Sequence, residues 1–93
     1  MRIHVHFTVG TNRVDEIVEG ETAEAIVTLM RDRMAAQMGV LVGAFLRRMS
    51  PLQFAQEATR RYNAAAGTTE PLPKTCDEFI ATGVRGGFAT RLD

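Results

Sequence analysis

The residues with the clearest chemical potential are two histidines spaced by one, His4-x-His6, in the opening run M-R-I-H-V-H-F-T-V. Alternate residues of a strand project to one face, so an extended run brings both imidazoles within reach of a single metal ion. Such a site needs a third ligand, for which Asp15, Glu16, Glu19, Cys76, Asp77 and Glu78 are the candidates. The same spacing also describes two surface histidines on the polar side of an amphipathic strand, paired with Asp15, and no cofactor is expected. Cys76 falls in the first turn of a predicted helix, where the dipole lowers a thiol pKa. Adjacent Asp77 and Glu78 oppose that effect and no histidine base is assigned to it, so a partly buried structural thiol is expected. The pairs Arg47-Arg48 and Arg60-Arg61, with Arg31 and Arg33, offer an alternative chemistry, a basic surface for phosphate, nucleic acid or acidic protein. One tyrosine in the chain gives no interleaved aromatic platform for single strands. There is no glycine-rich phosphate loop, no arguable Ser-His-Asp arrangement and no pair of carboxylates in an evident cleft, so no enzyme activity is expected.

Ninety-three residues with 45% hydrophobic content bound the answer to one globular domain of marginal size. A formal charge of zero argues against strong nonspecific attraction to nucleic acid or anionic lipid, and removes one safeguard against self-association. The charge is segregated: residues 1–30 hold two Arg and five acids, residues 31–61 six Arg and two acids. Charged faces attracting each other across the fold are the expectation. A lone cysteine excludes an internal disulfide and fits a reducing compartment, and the alternating N-terminus has no secretory apolar stretch. The longest apolar run, 38–46, is far short of the roughly 20 residues of a membrane helix. A cytoplasmic protein is expected.

These candidates need elements to position them. Residues 1–9 alternate as a half-buried strand, with Ile3, Val5 and Phe7 on one side and His4 and His6 on the other. Gly10-Thr11-Asn12 reads as a turn and Val14 to Glu19 as the returning strand. A two-residue loop sets Val18 opposite Ile3, Val14 opposite Phe7 and His6 opposite Asp15, at the cost of Glu16 on the apolar face. Thr22 caps a helix in which Ile26, Met30, Met34 and Met38 recur at four-residue steps, with Arg31, Asp32 and Arg33 on its exposed side. Val40 to Met49 fits a buried helix or a short buried strand, and Ala44 to Met49 tilts it to helix. The best-marked element is 50–67: Ser50 N-cap, Pro51, Gln53 closing a capping box, an apolar face of Leu52, Ala55, Ala58, Thr59, Tyr62, Ala65 and Ala66, and Gly67 as terminator. After a two-proline loop, Thr75 and Glu78 form a second capping box on a short helix ending at Gly83, and Phe88, Thr90 and Leu92 can add a strand to the hairpin. The fold class is therefore α+β, a hairpin covered by two or three helices, with a short C-terminal helix and a possible extra strand.

The opening M-x-I-x-V strand, the turn at Gly10, the strand ending Val18-Glu19 and the Thr-capped helix at T-A-E-A-I resemble the start of the ubiquitin-like, β-grasp fold. The run Val84-Arg85-Gly86-Gly87 is similar to the R-G-G end that such modifiers expose, with six residues left to be trimmed. The resemblance covers less than half the chain and implies further strands where this sequence places the 50–67 helix.

The functional expectation is a small non-catalytic protein–protein interaction module or accessory subunit. It associates with itself or with another protein through a Met-rich apolar helical face of Met30, Met34, Met38, Leu41 and Phe45. Phosphate or nucleic-acid binding through Arg47, Arg48, Arg60 and Arg61, and metal binding at His4 and His6, are the alternatives.

Overall fold

The alternation of Ile3 and Val5 with His4 and His6 produces a strand with one dry side and one wet side, and the other elements collect on the dry side. A computed structural model describes residues 1–9 and 12–93. Strand β1 (Arg2–Val9) lies at the centre of a sheet ordered β2-β1-β3, between β2 (Asn12–Glu19) and β3 (Ala89–Arg91), and both pairings are antiparallel. The hairpin register is the one expected for a two-residue loop: Ile3 faces Val18, His6 faces Asp15 and Phe7 faces Val14. Of the expected turn, Gly10 and Thr11 lie outside the described residues, and Asn12 already belongs to β2. The tail does add a strand: β3 pairs with β1 from Ile3 to Val5, and the N-terminal ammonium donates to the Gly20 carbonyl at 2.9 Å.

Four helices follow the hairpin: α1 (Ala23–Gln37), α2 (Val40–Arg47), α3 (Pro51–Ala66) and α4 (Cys76–Arg85). The core sits between the sheet and α1, where Ile3, Val5 and Val18 meet Ile26 and Val27, all at most 2% exposed. Burying aliphatic side chains of this size contributes about 1.5–3 kcal/mol each. Phe54 and Ala55 of α3 and Cys76 and Ile80 of α4 complete the cluster. The apolar side of α3 is thus displaced from the expected one. Phe54 joins Ala55 and Thr59 on the inside, whereas Ala65 and Ala66 are exposed because α3 runs past the end of the core.

The helix ends follow their capping residues. Ser50 Oγ accepts from Gln53 N at 3.1 Å while Gln53 Oε1 accepts from Ser50 N at 3.0 Å, and Gly67 ends α3 in the left-handed region at φ 68°. Thr75 Oγ1 caps α4 by accepting from Glu78 N, but the second capping box stays open, because Glu78 Oε2 accepts from Lys74 N at 2.7 Å instead. α4 passes through Gly83 to Arg85. It ends at Gly86-Gly87, where Phe88 N donates to Gly83 O and Gly87 N to Val84 O with Gly87 at φ 83°. That is a Schellman turn, and it aims the chain back along β1. The glycine pair is built into the fold here, immediately ahead of a sheet strand. The chain opens strand–strand–helix, the element order with which the ubiquitin-like fold begins. The rest differs, since three more helices and one further strand are described where additional strands would stand.

Two corrections concern the middle of the chain. The segment after Gly39 is helical, but it is not buried. α2 packs closely against α1 where buried Gly43 meets the Ala35 carbonyl, and Leu46 packs on the edge of the core. Arg31 is not on an exposed side. Only 16% of its side chain is accessible, and it donates to the Met49 carbonyl at 2.8 Å while holding Asp32 at 3.0 Å, tying α1 to the α2–α3 junction.

A Cβ on Gly43 would stand 2.6 Å from the Ala35 carbonyl oxygen, a backbone atom that cannot swing away. Alanine there gains roughly 1 kcal/mol of helix propensity and loses about 1–3 kcal/mol to overpacking. Gly43→Ala is therefore expected to be less stable than the parent in urea unfolding. Unchanged or higher stability would show that α2 moves freely off α1.

Candidate interaction site

An eight-residue helix has little stability of its own, so the packing of α2 is decided by which of its residues the rest of the fold can cover. Successive residues turn by about 100°. Gly43 and Leu46 therefore face α1 and the core, and Leu41, Ala44 and Phe45 point the opposite way. Val40 is 86% exposed, Leu41 87% and Phe45 63%, with Val42 and Met38 also exposed. The Met-lined face expected from four-residue steps is thereby divided. Met30 and Met34 are partly buried and pack against this domain's own core, while Met38, the C-cap of α1, lies outside it with Leu41 and Phe45. The four-residue period predicts which residues share a side of α1; it carries no information on where that side stops being covered.

Beside Phe45 an open groove runs between α2 and α3, bounded by Arg48, Met49, Gln53, Glu57 and Arg60. It brings two of the four arginines of the anion-binding expectation together. Arg60 and Arg61 are both engaged by Glu57, at 3.1 and 3.4 Å, which offsets half of their positive charge. Arg47 and Arg48 are exposed at the end of α2, with no hydrogen-bond or ion-pair partner among the described residues. Arg33 reaches back to the sheet: its Nη1 donates to Glu16 Oε2 at 2.9 Å and to the Ile17 carbonyl at 3.3 Å. This contact resolves the misfit of Glu16 on the apolar face, and it joins the acidic first third of the chain to the arginine-rich middle.

The wet face of the sheet carries His4, His6, Asp15, Ile17 and Thr90. Asp15 stands opposite His6 in register, but its hydrogen bond goes diagonally to His4, with Nε2 and Oδ1 2.6 Å apart. His6 Nε2 instead meets Thr90 Oγ1 at 3.2 Å. The two rings are 4.8 Å apart, yet their Nε2 atoms are committed to opposite neighbouring strands. Among the described residues no group of three or more His, Cys, Asp or Glu is arranged to hold a metal ion. Cys76 is buried at the start of α4. Burial, then the charges of Glu24 and Asp77, push its thiol pKa up, against the direction a helix N-terminus favours. Among the described residues no helix is long and apolar enough to cross a membrane.

No family model, curated protein or solved structure matches this chain. The reading of its surfaces rests on their own chemistry.

The Asp15 carboxyl is held below its ordinary value of 3.8, first by the His4 hydrogen bond, which outweighs the opposing effect of desolvation, and then by the charges of His4, Arg13 and His6. A lowered folded-state pKa adds stability above the unfolded value, and that stability is lost as pH falls through the folded one. Asp15→Asn should therefore be less stable than the parent at neutral pH, with the gap closing as pH falls through the folded-state pKa of Asp15 and both chains come to carry an uncharged residue. A gap that persists unchanged in acid would remove the His4–Asp15 pair from the account.

Proposed function

We propose that this chain is a small non-catalytic interaction module that self-associates through the outer side of α2 and works in the cytoplasm, where its one thiol stays reduced. The observation that supports this is the concentration of large exposed apolar side chains on one short helix. Leu41 and Phe45 stand on the side away from α1, with Val40 and Val42 exposed on its flanks, whereas the other exposed large apolar residues, Ile17, Leu72, Val84 and Leu92, are scattered along the chain. A contiguous apolar patch costs solubility unless something covers it, and zero net charge provides no repulsion between copies.

The magnitudes define how much of the surface is needed. Burying these side chains from two copies contributes on the order of 10 kcal/mol. Association costs roughly 4–15 kcal/mol in lost freedom. α2 is only about 12 Å long, less than the ~800 Å² per partner of a standard interface requires. The contact therefore extends from α2 into the groove beside Phe45, where Met49 supplies adaptable apolar surface and Arg48 and Glu57 supply charges of both signs. An accessory-subunit role, with another protein in place of the second copy, uses the same face.

Leu41→Asp combined with Phe45→Asp places two carboxylates on this face without touching the core. The variant is expected to keep the circular dichroism spectrum of the parent and to show a lower mass at equal concentration in sedimentation equilibrium. An unchanged mass in the folded variant would overturn the assignment of the face. Strong weakening of partner binding by salt, together with loss on replacing Arg47 and Arg48, would favour the anion-binding alternative.

A further inference from the structure

Strand β2 is an eight-residue edge, and the hydrogen-bond pattern identifies which of its groups are unused. Met1 and Gly20 exchange both backbone hydrogen bonds, so Val18, Glu16 and Val14 turn their N–H and C=O groups toward β1 by the alternation of an antiparallel ladder. Arg2 and His6 bond to Leu92 and Phe88 on the other side of β1, in keeping with that parity. Arg13, Asp15, Ile17 and Glu19 therefore direct their backbone groups away from the sheet. Among the described residues, the one contact to these groups is Arg33 on the Ile17 carbonyl, which retains a second lone pair. Arg13 is 77% exposed at its side chain and Ile17 is 52% exposed, so among the described residues Arg33 is the one group seen on this edge.

We infer that β2 is a second self-association site, pairing antiparallel with β2 of another copy to run one sheet through both molecules. The occupant is argued from the strand's own charge pattern. Outward groups must meet outward groups, which leaves two long registers about a two-fold axis. One sets Asp15 against Asp15, a like-charge pair. The other sets Arg13 against Glu19 of the second copy at both ends, with Asp15 beside Ile17, and brings Glu16 to the axis, where each carboxylate already carries its own Arg33. Each register sets one like-charge pair on its axis, Asp15 beside its own Arg13 and His4 or Glu16 beside its own Arg33, and only the second adds opposite charges at both ends, so it is the one formed. The contact is independent of α2, because it uses backbone groups and the sheet edge instead of the helix face. Chains carrying both contacts associate beyond a dimer.

The test uses the full chain carrying Leu41→Asp and Phe45→Asp, in which the α2 contact is disabled. This parent is expected to dimerise in sedimentation equilibrium. Adding Arg13→Glu or Glu19→Arg makes both end pairs repulsive and should each raise the dissociation constant about tenfold or more. An equimolar mixture of those two variants restores opposite charges at both ends, and should bind as tightly as the parent. A parent that stays monomeric at every accessible concentration would overturn the inference. So would a mixture that binds no more tightly than its separate components, since a merely destabilised fold is not rescued by mixing.

Discussion

The packing of α1 on one face of a three-stranded sheet is the contact on which the rest of the molecule depends. A two-stranded hairpin is marginal in water, and this one becomes stable because Ile26 and Val27 close over Ile3, Val5 and Val18. The third strand follows from the same contact. β3 returns to β1 only after α3 and α4 have packed beside α1, and the Schellman turn at Gly86-Gly87 then delivers it in register. The whole chain thus builds one sheet face and covers it once, leaving the other face and one long edge to solvent.

Covering a sheet on one side imposes a constraint on charge. Glu16 sits at the inward position opposite Val5, where an acid is misplaced by the logic of alternation. Its partner is Arg33, donated from the helix that covers the sheet. The pair is half exposed and worth little as a stabilising ion pair. Its effect is on specificity, since it fixes the rotation of α1 over β2 and occupies part of the edge that β2 presents. Arg31, two residues earlier, points elsewhere and holds the Met49 carbonyl, so one short arginine pattern anchors α1 to both the sheet and the helices that follow.

The elements were legible in the sequence wherever a local rule governs the outcome. The alternation of residues 1–6, the hairpin register, the Ser50–Gln53 capping box and the left-handed Gly67 each follow a local rule, and each appears as expected. The candidate site was legible only in part. Leu41 and Phe45 lie on the exposed side, but Met30 and Met34 do not, because periodicity reports a shared face and burial depends on what lies across from it. The apolar run of α2 suggests a buried helix for the same reason. Only the glycine at 43, small enough to meet a backbone carbonyl, hints that the helix packs closely against its neighbour. The Asp15 partner was misplaced by one pair because register sets Cα neighbours, whereas a carboxylate and an imidazole reach diagonally.

The exposure of α2 follows from the proportions of the fold. Its buried side is Gly43 against Ala35 with Leu46 at the core's edge, and covering the opposite side would require another element above it, which is not found among the described residues. An eight-residue helix with glycine as its fourth residue is a poor helix alone. It is held by Arg31 clamping the Met49 carbonyl at one end and by Gly39, at φ 85°, turning the chain out of α1 at the other. These contacts all lie on its inner side or its ends. Leu41 and Phe45 take part in none of them, and their apolar character is unexplained by the stability of the isolated fold. Apolar side chains that folding leaves in water keep the free-energy gain that burial would bring, which is the basis on which the outer side of α2 is proposed as a contact surface.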